Sequence, residues 1–507
     1  MRRAIRSTAI ILAIFVTTSG VGVAPRGAAW AAGERDVTIA QGIDAEFLDV
    51  QMTNNIVTLI INGSIYDTLL TRDKQLQLVP ALATSYKMVN DKVWEVKLRQ
   101  GVKFHNGEPF DASAVKFSFE RINRADFKSP QKGWFGTIER VEVVDPSTVR
   151  FHTKVPDPAM PARMSLMYQL PPKYVTQVGD AQANLKPVGT GPFKFVEWLK
   201  NDRIVVEAND AHWSGKPAVH RATWRPIPEL GARIAALQTG QADLIVNVPP
   251  DQIQALSASK NLRIEKVPSC RIVSFAIAQI KGGPIADRRV RQALNYAVDM
   301  QGILDAVLLG NGKRINSWMP PNVWGYDPSI PFYEYNPKKA KELLAEAGQS
   351  NVTLTLQAPN GRWAMDKDIA QAVAGQLTEN GIKTNIKIIG EWGAYVRTIL
   401  DHKTEDIAMS GWCLPSLEPD HWVTPNLHTG EAVSQYSNPE VDKLMEQARS
   451  EMNVEKRKQL YSQLLRVIRD EAPYIFGYQQ MDIYGVNSRL KWTPRGDETI
   501  RLTEISF

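Results

Sequence analysis

Cysteine is scarce in this chain of 507 residues: Cys270 and Cys413 stand against 13 tryptophans, 14 tyrosines and 15 phenylalanines. So few thiols exclude a disulfide-dense mini-scaffold and any cysteine-rich zinc or iron–sulfur centre. Long apolar runs are lacking as well. The most concentrated, Ala9–Val16, falls far short of the roughly 20 residues that span a bilayer. No HExxH, GxSxG, P-loop or strand-borne GxGxxG motif occurs, which removes the usual signatures of metalloproteases, serine hydrolases and nucleotide enzymes. The seven histidines are scattered. His421 and His428 are spaced for one helical face, but Pro425 between them favours two polar loop residues over a metal pair. No metal and no cofactor is expected. Gly/Ser linkers, repeats and low-complexity tracts are also missing, so the length implies two to four domains that exchange segments and pack closely.

What is present includes a charge excess of +6, from 60 basic and 54 acidic side chains. Much of that excess is N-terminal. Arg2, Arg3 and Arg6 precede the apolar stretch, and small residues follow as far as Ala29-Trp30-Ala31. That is the layout of a cleavable secretory signal peptide over residues 1–31. No cysteine lies near the cleavage site to carry a lipid, so an exported protein beginning near Ala32 is expected. Removing residues 1–31 takes away Arg2, Arg3, Arg6 and Arg26 and no acid, leaving 56 basic against 54 acidic side chains. No Lys/Arg cluster remains to neutralise phosphates, and nucleic acid is excluded as a partner.

Strand and helix signals alternate along the chain, which indicates an α/β fold class. Trp94, Val96 and Leu98 share one face of a strand. The turn His105-Asn106-Gly107 follows, and Asp111 caps a helix carrying Val115, Phe119 and Ile122 on one stripe. Further strands are expected over 148–152, 203–207, 352–357 and 382–389, and a helix over Asp287–Leu309. Asn336-Pro337 opens another helix that Gly348 ends, Asn438-Pro439 repeats the opening, and Asn453 starts a helix stopped at Ala472-Pro473.

Two segments are candidates for ligand contact. Ser410–His421 reads SGWCLPSLEPDH and is followed by Trp422, a composition that predicts a shaped loop rather than a helix. Trp412 and Trp422 would offer flat faces to a ligand, with Asp420 as a charged anchor. Alternatively the tryptophans pack in the core and Asp420 caps the next turn, which composition alone favours. The second segment is Asn360-Gly361-Arg362-Trp363, whose Arg362 either clamps a carboxylate beside Trp363 or forms a surface salt bridge. For the cysteines of an exported chain, a Cys270–Cys413 bridge and two buried thiols are both open.

Taken in order, several stretches resemble the periplasmic solute-binding proteins of ABC importers, in the dipeptide/oligopeptide-binding family (family 5). They are IYDTLL (65–70), LVPALATSY (78–86), WEVKLRQGVKFHNGEPFDASAVKFSFERI (94–122), GTGPFKFVEW (189–198), DRRVRQALNYAVD (287–299), PNGRWAMDKDIAQAV (359–373) and YSNPEVDKLMEQARSE (436–451). The resemblance implies a two-lobed α/β periplasmic-binding-protein fold (class II, type 2) with an additional inserted domain and a hinge-bending cleft. Lobe I would comprise 33–67, 187–269 and 475–507, the inserted domain II 68–186, and lobe II 270–474. Such a protein is a periplasmic monomer that binds a small peptide or peptide-like solute and delivers it to an ABC permease with its ATPases. It is not an enzyme.

The resemblance also implies the Cys270–Cys413 disulfide and a ligand site that includes Trp412, Asp420, Trp422, Arg362 and Trp363. At one point the sequence departs from the pattern. Peptide binders carry an Asp a few residues after the Trp-Cys pair to hold the peptide's α-amino group, and Pro415 stands there. Asp420, with Glu418 before it, either substitutes as the amine anchor or only shapes the loop. An unpaired ammonium in a closed cleft is costly, so non-peptide ligands of the family (opines, glutathione, sugars, nickel complexes) stay open. A secreted hydrolase is the remaining alternative, for which the sequence offers no nucleophile–base pair.

Overall fold

The computed structural model describes residues 33–507, and the expected signal peptide, 1–31, lies outside the described residues. All elements below belong to one unit, Arg35–Phe507. Its frame is an 11-stranded mixed sheet built on two long antiparallel strands, Leu262–Ile277 and Tyr474–Asn487. On one side of this pair the sheet continues through Leu244–Ile245, Asp36–Gln41, Arg221–Pro226, Arg203–Ala208 and Phe193–Leu199. On the other side it continues through Ile407–Trp412, Thr353–Pro359 and Lys383–Ile389, while Gly312–Arg314 pairs separately with Tyr474–Asn487. The long strands are therefore the covalent and hydrogen-bonded link between two half-sheets. Each half has its own apolar filling. Leu294, Leu304, Leu356 and Ile369 pack in one cluster, and Ala40, Leu237, Ile245 and Leu256 in another.

A separate four-stranded antiparallel sheet runs in the order Ala83–Asn90, Val93–Leu98, Thr148–Thr153, Ile138–Asp145. Trp94, Val96 and Leu98 are its buried face. The helix Ala112–Asn123 covers it, and Asp111 accepts from the amides of Ser113 and Ala114 at 2.8 and 3.3 Å as its N-cap. The turn after Val93–Leu98 docks on the GTGPF segment. The His105 amide donates to Gly189 O at 2.8 Å, and its Nε2 donates to Gly191 O at 2.9 Å. Burial pushes the His105 pKa down to about 4, so the ring is neutral when it makes these bonds. Both glycines are required by close approach: a Cβ at Gly189 would lie 2.1 Å from Ile65 O, and one at Gly191 2.5 Å from Ile65 C.

The capped helices form over Pro337–Glu346, Pro439–Ser450 and Val454–Glu471, with Asn336, Asn438 and Asn453 each accepting from first-turn amides. Two expectations need correction. The helix expected over Asp287–Leu309 is two helices, Arg288–Tyr296 and Met300–Val307, because Asp299 caps a new start by accepting from the Gly302 amide at 2.9 Å. The segment expected as a loop, Ser410–His421, is strand as far as Trp412 and helix from Asp420, and only 413–419 is irregular. Cys270 and Cys413 are joined in a disulfide with Cα atoms 5.3 Å apart, across 143 residues of sequence. It ties the central strand to the root of that irregular segment.

Candidate functional site

A cavity of about 320 Å³ opens beside the junction of the half-sheets. Its wall is aromatic: Trp363, Trp392, Tyr395, Trp412 and Tyr474 line it. Trp363 and Trp392 meet edge to face at 5.8 Å, and Trp392 stacks on Tyr395 at 5.7 Å. Trp363 is itself almost wholly buried, and it can lie there only because the neighbouring strand has Gly411; a Cβ at that position would come within 2.6 Å of the indole. Beyond Trp412 a second cavity of about 250 Å³ continues past Asn54, Pro130 and Lys132.

Arg362 reaches this cavity from the loop after the strand Thr353–Pro359. The carboxylate of Asp366 accepts from the amides of Gly361, Arg362 and Trp363 at 3.0, 2.8 and 3.1 Å, which fixes the loop. Asp366 is therefore occupied by backbone. Among the described residues the Arg362 guanidinium has no hydrogen bond and no ion pair, and its Nε is buried without a partner. It lies 5.6 Å from the Trp363 ring centroid and 5.4 Å from that of Trp392. Burial, reinforced by nearby Arg271, pulls its pKa down to about 10. That still leaves it a cation at neutral pH, half-buried at the cavity and without a counter-ion among the described residues.

Asp420 and Trp422 do not line the larger cavity, although Asp420 lines the second one beyond Trp412. Asp420 is buried and pairs with Arg163 at 2.8 Å and Arg449 at 3.0 Å, and it accepts from Thr424 Oγ1 at 2.6 Å. The two arginines hold its pKa far below the usual carboxylate range despite burial. Glu418 is committed to Arg457. Neither acid has an unbalanced charge to offer an amine. Trp422 is 0% exposed, packs in the main core and lines none of the cavities described; its carbonyl accepts from Trp318 Nε1 at 3.1 Å.

His421, expected as a polar loop residue, is helical and buried. Arg163 can only donate, so the 3.0 Å contact makes His421 Nε2 the acceptor, and Nδ1–H points at Ser416 Oγ, 2.7 Å away. Burial and Arg163 push its pKa down to about 3. Pro425 sits inside this helix, Asp420–Leu427, and has no amide to give the His421 carbonyl four residues back. Trp412 Nε1 takes that acceptor at 2.7 Å. The proline thus frees the group that orients the cavity tryptophan.

These features can be set beside known proteins. A family model for bacterial extracellular solute-binding proteins, family 5 (Middle), matches residues 77–434. The chain belongs to this family. The glutathione-binding protein GsiB of Pectobacterium atrosepticum is 31% identical over 465 residues, 88% of each chain. GsiB of Salmonella typhi is 29% identical over 481 residues, 90% of this chain and 91% of the relative. Among solved structures, the ABC transporter-associated periplasmic binding protein DppA from Helicobacter pylori, in complex with peptide STSA, is 26% identical with a TM-score of 0.86, covering 94% of this chain and 99% of that one. The oligopeptide-binding protein AppA from Bacillus subtilis, in complex with a nonapeptide, is 28% identical with a TM-score of 0.85, covering 93% and 98%.

In this family-5 chain the sequence reading missed several groups at the cavity. Trp392 and Tyr395 come from a nine-residue amphipathic helix, Trp392–Leu400, whose aromatic spacing of three was the available signal. Arg271, beside Cys270 on the central strand, lines the cavity and pairs with Glu498 through Nε at 2.6 Å and Nη2 at 2.5 Å. Nothing local marks that pairing, because its partners are 227 residues apart.

Proposed function

We propose that this family-5 protein is the extracytoplasmic receptor of an ABC importer and that it captures a carboxylate-bearing, peptide-like solute unchanged, through Arg362. The observation that carries the reading is the unpartnered guanidinium of Arg362 at the edge of an aromatic cavity. Trp363, Trp392 and Trp412 supply apolar walls for the rest of the ligand. The relatives that bind peptides and glutathione support this chemistry, since both ligand types end in carboxylates. Lobes at 33–67, 187–269 and 475–507 and at 270–474, with an inserted domain at 68–186, close on the ligand by bending at Leu262–Ile277 and Tyr474–Asn487, and the closed form docks on the permease. Residues 1–31 direct export to the periplasm.

Titration calorimetry with glutathione, Ala-Ala and the peptide STSA, each as free acid and C-terminal amide, tests the role of Arg362. The wild type binds at least one acid and discriminates against its amide. Arg362→Met loses about 2–5 kcal/mol of binding free energy, the usual cost of removing one partner of a buried charged pair. Equal binding of acid and amide by the wild type overturns the reading.

A further inference from the structure

Next to the aromatic cavity lies a smaller one of about 60 Å³, and Arg271 and Arg362 line both. At roughly 10–15 Å³ for each water-sized group, it has room for about four or five heavy atoms. Its floor is the linking strand Tyr474–Asn487, through Gln480, Asp482 and Tyr484. Three polar groups there lack their natural complements. Arg362 is a half-buried cation whose enclosed Nε has no partner and whose guanidinium has no ion pair among the described residues. Gln480 is 5% exposed and its Oε1 has no donor. Asp482 is equally buried, accepts from Gln480 Nε2 at 2.6 Å and from the Tyr484 hydroxyl at 3.5 Å, and has no cation within ion-pair distance among the described residues. Arg271, the cation whose charge acts on it, is held bidentately by Glu498. One buried carboxylate therefore remains to be neutralised, in the same small space as one unneutralised guanidinium.

We infer that this cavity is a subsite for a zwitterionic α-amino-acid head group, the ligand's carboxylate on Arg362 and its ammonium on Asp482 and Gln480 Oε1. The assignment rests on Arg362 as the carboxylate receptor and adds the amine anchor that Pro415 removes and that Asp420 and Glu418 cannot supply. With Arg271 and Glu498 paired, ionised Asp482 and Arg362 make the cluster neutral, and a zwitterion keeps it so. An ammonium is satisfied by a carboxylate and an amide oxygen. The titratable groups around Asp482 are Glu498 from the C-terminal segment, Arg271 from the strand Leu262–Ile277, Tyr484 on its own strand and Arg362 across the cavity. Burial and the charge of Glu498 raise the Asp482 pKa to about 7. Binding an ammonium requires the ionised form, so affinity for an amine falls up to tenfold for each pH unit below about 7.

The test is calorimetry on glutathione, Ala-Ala and free glutamate, each paired with its N-acetylated form, using wild type, Asp482→Asn, Arg362→Met and Glu46→Gln. Glu46 is the rival acid: it lines the larger cavity but is exposed and bonded to Thr53 and Asn55. The wild type should prefer a free amine by at least tenfold at pH 8 and lose that preference near pH 5.5. Asp482→Asn should bind both members of the pair alike at pH 8, with a cooperative denaturation midpoint no lower than that of wild type showing that it is folded. Retention of the preference in Asp482→Asn, or its loss in Glu46→Gln instead, overturns the amine site while loss of acid binding in Arg362→Met keeps the carboxylate site standing. A wild type that binds none of the probes overturns both.

Discussion

Replacing Asp420 with alanine separates a ligand anchor from a structural ion pair. The Asp420 side chain is 5% exposed and is shared by Arg163, 1% exposed, and Arg449, 24% exposed. Breaking a buried pair costs about 3–5 kcal/mol, because the partner is left as an uncompensated charge. Here Arg163 keeps Asp157 at 2.8 Å, and Arg449 keeps Thr424 Oγ1 at 2.8 Å and some access to water. The expected loss is therefore at the low end, about 3 kcal/mol. Asp420→Asn keeps the acceptor oxygen for Arg163 and should lose less. The carboxyl is pushed below its unfolded-state value near 4, so its contribution is complete above that pH and fades only in stronger acid. Urea unfolding at pH 7, followed by tryptophan fluorescence and circular dichroism, reads the loss, and calorimetry with a bound probe reads affinity. A variant as stable as wild type that has lost its ligand would refute the structural assignment and restore Asp420 as the amine anchor.

Other consequences are equally open to measurement. His421 is neutral when folded, with its pKa down at about 3, so the unfolded chain takes up its proton first. Its share of stability is full above about pH 6.5 and declines as pH falls from there towards 3, a slope that unfolding of His421→Gln should show flattened. Trp412→Phe leaves the His421 carbonyl without its donor and should cost about 1–3 kcal/mol; adding Pro425→Ala supplies a helical amide and should recover part of it in a double-mutant cycle. Cys270→Ser with Cys413→Ser should lower the unfolding free energy by about 2–5 kcal/mol, the range for removing a native disulfide, and unchanged stability would show that the bridge closes no entropy-rich loop.

Much of the fold was legible because its signals are local. Asn336-Pro337, Asn438-Pro439 and Asn453 cap the helices they were expected to cap, and the Trp94, Val96, Leu98 alternation faces a core. The break at Asp299 was missed because an apolar stripe continues across it, and only the side-chain cap restarts the helix. The site was legible in part. Arg362, Trp363 and Trp412 meet at one cavity, as composition allowed. Trp422 and Asp420 could not be sorted from sequence, because their fate is decided by Trp318 and Arg163, 104 and 257 residues away. Asp482 carries no local signal at all. Its position is set by strand pairing with Val267 and by Glu498 arriving from the C-terminal segment.

Closure around a carboxylate-bearing ligand is read by small-angle X-ray scattering of the protein with and without a saturating binder found by calorimetry. The radius of gyration should shrink on saturation in the wild type and stay the same in Arg362→Met at the same ligand concentration. A wild type whose scattering is identical with the site demonstrably filled would contradict closure.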